Sequence, residues 1–89
     1  MDFEWDHKKA AANETKHGVT FAEASEVFGD EYSSTVADPD HSVGEERPVI
    51  FGSTQSGRHL VVAFTERDGK IRIINARQMT PSERRAYEQ

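Results

Sequence analysis

Residues 59–76 read HLVVAFTERDGKIRIINA, and the folding of this stretch decides the rest of the chain. Asp68-Gly69 lies between two runs rich in β-branched and aromatic residues, the pattern of a hairpin closed by a two-residue type I′ turn. With that turn, Arg67 faces Lys70, Thr65 faces Arg72 and Ala63 faces Ile74. Side chains alternate between the faces of a sheet, so Leu60, Val62, Phe64, Ile71 and Ile73 fall together and form the core side. The other side carries Val61, Ala63, Ile74 and Ala76 at its base, with Thr65, Arg67, Lys70 and Arg72 toward the tip. Three cations thus share one patch. Like charges set opposite one another are destabilising, so an anion or facing acids are expected to offset them.

Upstream, RPVIFGST (47–54) supplies another strand, joined to the hairpin through Gln55-Ser-Gly-Arg58 and setting Arg47 opposite Glu66. Residues 32–37 (YSSTVA) favour an extended chain, and 38–46 (DPDHSVGEE) form a polar loop broken by Pro39 and Gly44. Near the start, Phe3 and Trp5 alternate with acids in a short strand. Asp6 then caps a helix through HKKAAANETKH, and Gly18 stops it. Thr20 and Glu23 have capping-box spacing, and Phe21, Ala24, Val27 and Phe28 make an apolar stripe before Gly29. Downstream, Thr80-Pro-Ser-Glu83 repeats the box with proline at the first helical position, opening a short helix that carries Arg84, Arg85 and Tyr87. The order predicts one α+β domain over residues 1–89. Two N-terminal helices and a C-terminal helix would pack on an antiparallel sheet of three to five strands.

Composition narrows the function classes. A chain of 89 residues buries only roughly two-thirds of its unfolded surface, so its core is modest. The absence of cysteine excludes disulfides and thiolate zinc sites and fits a reducing cytoplasm. No apolar run approaches the ~20 residues of a membrane span, and the acidic opening MDFEWDHKK lacks the apolar core of a secretion signal. Net charge is −5, but it is divided: residues 1–46 sum to −9 and residues 47–89 to +4, with all seven arginines in the second part. Arginine's planar fork suits bidentate contact with phosphate. Asymmetry of this kind serves either a local polyanion site or pairing inside the fold.

Three stretches carry a resemblance: WDHKKAAANETKHGVTFAEASEVFGD, DPDHSVGEER and LVVAFTERDGKIRIINARQMTPSERRAYE. With Lys16-His17-Gly18-Val19, the run Arg72 to Arg77 and the spacing Thr80, Glu83, Tyr87, the chain from Phe3 to Glu88 resembles the BrnT toxins of type II toxin–antitoxin systems. It departs from their pattern at His7, where proline is common, and at Asn75, where serine is common. The resemblance implies a RelE-like fold, cytoplasmic ribonuclease activity that arrests translation, and neutralisation by a BrnA-type antitoxin in a hetero-oligomer that meets DNA only through the antitoxin. It implies attack of the RNA 2′-hydroxyl on the adjacent phosphate, leaving a 2′,3′-cyclic phosphate, with neither metal nor cofactor. The chemistry requires cations beside the phosphate, a base and an acid. Arg72 and Arg77 are the expected phosphate stabilisers, and Arg67 and Lys70 the backbone contacts. Glu66 is a candidate base on the wrong face, and Tyr87 a candidate acid or stacking platform. Arg58, Lys16 and His17 complete the candidate RNA contacts. Lys16 and His17 also suit the C-terminal dipole of their helix.

Plainer readings compete with several of these roles. Arg77 can pair with Glu83, Tyr87 can pack on the sheet beside Met79, and Lys70 can serve solubility. Asp38, Asp40, His41, Glu45 and Glu46 offer oxygen and nitrogen ligands but match no known metal-loop spacing. His59 shares the face of Val61 and Arg67, but a lone histidine at a strand start is weak evidence for an acid. A non-catalytic module acting as co-repressor with a DNA-binding antitoxin is the second function class, and a toxin that has lost activity the third.

Overall fold

The computed structural model describes residues 1–37 and 47–89. The chain runs β1 (Asp2–Glu4), α1 (His7–His17), α2 (Phe21–Ser25), a 3-10 turn (Glu26–Gly29), β2 (Ser34–Val36), β3 (Val49–Ser53), β4 (His59–Arg67), β5 (Lys70–Gln78) and α3 (Pro81–Tyr87). Residues 38–46, which hold the expected polar loop and its acidic cluster, lie outside the described residues.

The hairpin forms as its sequence requires. Asp68 and Gly69 take positive φ angles of 52° and 77°, and Arg67 pairs with Lys70 and Thr65 with Arg72. The register then shifts. Phe64 pairs with Ile73 but Ala63 pairs with Asn75, so Ile74 is the extra residue of a β-bulge. Beyond it the alternation changes phase: Ala76 enters the core rather than the outer face, and Ala63 faces Asn75 rather than Ile74. The strand also runs on to Gln78, which takes Arg77 into the ladder opposite Val61.

The five-stranded sheet has the order β1-β5-β4-β3-β2. It is mixed, not purely antiparallel as the sequence suggested. β1 lies parallel to β5, with Asp2, Phe3 and Glu4 beside Lys70, Ile71 and Arg72. A first strand separated from the hairpin by two helices is free to enter the edge in either sense. Here Phe3 joins the core side while the acids take the outer face. Arg47 stands just before β3, whose ladder to β4 begins at Val49 opposite Ala63; extending that register sets Arg47 across from Thr65, not Glu66.

Helices α1 and α2 cover one face. Asp6 caps α1 by accepting from the N–H groups of Lys8 (2.8 Å) and Lys9 (3.0 Å). Gly18 ends it at φ 68°, a left-handed turn that costs glycine nothing. Thr20 Oγ1 accepts from Glu23 N–H, but the Glu23 carboxylate goes to Arg58, so only half of the expected box closes. Phe21, Ala24 and Val27 of the stripe are buried against Leu60, Val62, Phe64, Ile71 and Ile73. Each large side chain so placed contributes about 1.5–3 kcal/mol. The 3-10 turn presses directly on β3, since a Cβ on Gly52 would stand 3.0 Å from Val27 Cβ. No described helix is long and apolar enough to cross a membrane.

Asn13 joins α1 to the sheet. Its Nδ2 donates to the carbonyls of Val19 (3.0 Å) and Ala76 (2.9 Å), and its Oδ1 accepts from Ala76 N–H (3.0 Å). Strand β1 reaches only as far as Arg72, so this amide takes the place of a neighbouring strand at Ala76.

Candidate functional site

The outer face of the hairpin is the strongest site because the bulge sorts its cations. In an unbroken strand Arg72 and Arg77, an odd number of residues apart, point to opposite faces. With Ile74 inserted, Arg72 pairs with Thr65 and Arg77 with Val61, both on the face away from α1 and α2. Arg67 and Lys70 share that face at the tip.

The facing acids come from β1. Glu4 is level with Arg72, and its Oε2 lies 2.9 Å from the Arg72 guanidinium. Asp2 is the register partner of Lys70. Both Glu4 and Arg72 are 34% exposed, so the pair forms part of an accessible rim. Thr65, across from Arg72, is buried, and among the described residues its Oγ1 is a buried side-chain oxygen with no hydrogen-bond partner.

At the base of this face lies α3. Thr80 and Glu83 form the complete capping box, and Glu83 also grips Arg77 bidentately at 2.7 and 2.9 Å. The Arg77 guanidinium holds the Glu83 carboxyl at about 2, well below its ordinary value, and is itself pushed further up by the same pair. Tyr87 packs on the sheet at His59, whose carbonyl accepts from Met79 N–H. Its hydroxyl donates to Asp30 Oδ2 and accepts from Ser53 Oγ, and its ring meets His59 edge-on at 5.6 Å. Burial pushes the Asp30 carboxyl up, yet donations from Tyr87, Ser53 N–H and Tyr32 N–H outweigh it and leave Asp30 below its usual range. Burial, aided by Asp30, raises the Tyr87 phenol, which therefore keeps its proton at neutral pH. A cavity of about 250 Å³ opens beside it, lined by Ser34, Phe51, Glu83, Ala86 and Tyr87.

The remaining candidates sit elsewhere. Arg58 donates to Glu23 Oε1 (2.6 Å) and to Gly18 O (3.2 Å), tying the α1–α2 corner to the start of β4. Lys16 and His17 end α1 at that same corner. Glu66 pairs with Ile71 and belongs to the helix side of the sheet, as the alternation required. Sequence reasoning missed Glu4. Its signal was the alternation of Asp2 and Glu4 with Phe3, which sets both acids on one face of whichever strand lies beside them. Among the described residues no group of histidine, aspartate and glutamate is arranged to hold a metal ion.

The chain is similar to proteins already known. The crystal structure of the Brucella abortus ribonuclease toxin BrnT superposes with a TM-score of 0.66, covering 90% of this chain and 97% of that one at 22% identity. At that identity the likeness speaks for the fold. No curated protein matches. A family model described as the ribonuclease toxin BrnT of type II toxin–antitoxin systems matches residues 5–83, which takes in the hairpin, the bulge and the first turn of α3. The chain belongs to the BrnT family of ribonuclease toxins.

Proposed function

We propose that this protein is a RelE-like endoribonuclease that cleaves RNA on the outer face of the β4–β5 hairpin. The carrying observation is the convergence of Arg67, Lys70, Arg72 and Arg77 on one face through the bulge at Ile74. Arg72 stabilises the charge that develops on the phosphate, with Arg77 next in line at the base of α3, and Arg67 and Lys70 hold the RNA backbone. The nucleophile is the RNA's own 2′-hydroxyl. A metal-activated water is therefore unnecessary, and the product is a 2′,3′-cyclic phosphate. Tyr87 keeps its proton but stands beside His59 and Ser53, at the other end of β4 from Thr65 and Arg72, so in this reading it holds α3 on the sheet and water protonates the leaving group. Arg58, Lys16 and His17 hold the α1–α2 corner in this reading, with RNA contact there secondary. In the cell, cytoplasmic cleavage arrests translation until a BrnA-type antitoxin binds.

A second reading rests on the pairing of Arg72 with Glu4 and of Arg77 with Glu83, which neutralises both arginines within the chain. It makes the protein a binding module that co-represses with its antitoxin. Cleavage of purified RNA in the presence of EDTA separates the two. The parent cleaves and Arg72→Ala does not, while the variant still binds antitoxin. Full cleavage by Arg72→Ala removes this face from the reaction, and no cleavage by the parent favours the binding module.

A further inference from the structure

Glu4, Arg72 and Thr65 stand in one row across β1, β5 and β4. Neighbouring strands are about 4.8 Å apart, so the row sets a carboxylate and a hydroxyl on either side of a guanidinium, each one strand spacing away from it. Two observations mark it as unfinished without a ligand. Glu4 holds Arg72 through one carboxylate oxygen at 2.9 Å in a half-exposed position, where an ion pair gains little and exchanges readily. Beneath them lies the buried Thr65 Oγ1, without a partner among the described residues. Polar atoms so buried are nearly always satisfied, and a phosphate oxygen entering the row would satisfy this one.

The other carboxylates near the face are less well placed: Asp2 stands beside Lys70 at the tip rather than in the row of Arg72, and Asp6, though it feels the charge of Arg72, is engaged as the cap of α1. Glu66 belongs to the opposite side. Glu83 is engaged by both Arg77 nitrogens and by Thr80 N–H. We infer that Glu4 is the general base of the cleavage reaction, exposed for that role when the substrate phosphate takes its place on Arg72. The inference rests on the RNA-cleaving reading given above. The phosphodiester binds Arg72 and frees the Glu4 carboxylate, which accepts the proton of the adjacent 2′-hydroxyl. The 2′-oxygen forms a bond to phosphorus while the bond from phosphorus to the 5′-oxygen breaks. That oxygen leaves with a proton from water, and the proton on Glu4 returns to the resulting hydroxide. The ion pair in the free protein thus keeps the base and the phosphate site occupied by each other.

The test is Glu4→Gln, which retains an oxygen to accept from Arg72. Cleavage rates are measured against pH together with binding of an uncleavable 2′-deoxy oligonucleotide. The parent rate falls on the acid side, and the variant loses about a hundredfold or more in rate and that acid limb with it. Its affinity for the oligonucleotide is unchanged or higher, because the phosphate no longer displaces a charged partner from Arg72. A variant that cleaves at nearly the parent rate overturns the inference. So does a loss of rate matched by lost affinity with the limb intact, which would make Glu4 only a prop for Arg72. If the variant does not fold, the parent profile alone decides, because a rate with no acid limb excludes a carboxylate base. A parent that cleaves no RNA overturns the reading of function itself and this inference with it, an outcome visible without any variant.

Discussion

Replacement of Asn13 by alanine is the sharpest test of how the site is held in place. The side chain makes three hydrogen bonds, two of them to the fully buried Ala76, the residue just before Arg77. Alanine removes both halves of the amide and leaves one N–H and two carbonyls without partners at a place closed to water. A buried donor left unsatisfied costs about 1–3 kcal/mol, and a carbonyl somewhat less. Taken at the low end for each group the sum is about 3 kcal/mol, a large share of the roughly 5–15 kcal/mol that holds a typical domain. At about 4–8 °C per kcal/mol for a domain of this size, Tm falls by roughly 12–24 °C. Urea unfolding followed by the fluorescence of Trp5, the one tryptophan, measures the change directly. Asn13→Asp sharpens the test: the carboxylate can still accept from Ala76 N–H but confronts two carbonyl oxygens with no proton to offer. It is at least as destabilising as alanine at pH 7 and recovers part of the loss in acid, where the carboxyl protonates and donates again. A loss below about 1 kcal/mol for Asn13→Ala would mean that Ala76 finds another partner at little cost and that the amide is not what anchors β5 to α1.

Two further outcomes follow from the same accounting. Glu83 has a depressed folded-state pKa, so its pair with Arg77 contributes stability that is complete above about 4.5 and is lost as pH falls toward about 2. With Arg77 40% exposed the contribution is on the order of 1 kcal/mol, and denaturation midpoints of the parent and Glu83→Gln, compared from pH 6 down to about 3, converge in acid; parallel curves would show the pair to be idle. Gly18→Ala meets no atom within 4 Å, so its cost is that of the left-handed backbone alone, about 1 kcal/mol by chemical denaturation, and an unchanged midpoint would contradict the assignment of the cap.

The parts of the fold legible in the sequence are those written locally. Asp68-Gly69 fixes the turn, the turn fixes the pairing of Thr65 with Arg72, and the caps at Asp6, Thr20 and Thr80 mark where helices begin. The bulge was not legible, because isoleucine suits an extra strand residue as well as a regular one, and nothing at Ile74 announces the change of phase. That single residue decides that Arg72 and Arg77 share a face. The parallel edge was hidden for a different reason. Its partners are far apart in the chain, and period-two alternation says which side chains go together without saying which strand they join. Asn13 was concealed inside an alanine-rich helix, where its buried position depends on packing rather than on propensity. The arginines of the hairpin were evident from the start. Their carboxylate partners needed the tertiary structure, except for Glu83, whose spacing from Arg77 could be read directly.

The place of β1 beside β5 has a consequence for the time at which the outer face is completed. Glu4 and Arg72 are separated by 68 residues, so the earliest-made strand waits for one of the last before it has a neighbour. During synthesis the N-terminal segment emerges first, and contacts between distant segments form late. A ribosome making this chain must therefore translate through the hairpin before the Glu4–Arg72 edge can close around it. That ordering withholds the finished face from the nascent chain until the hairpin has been made, so the row of Glu4, Arg72 and Thr65 is among the last features of the sheet to be assembled.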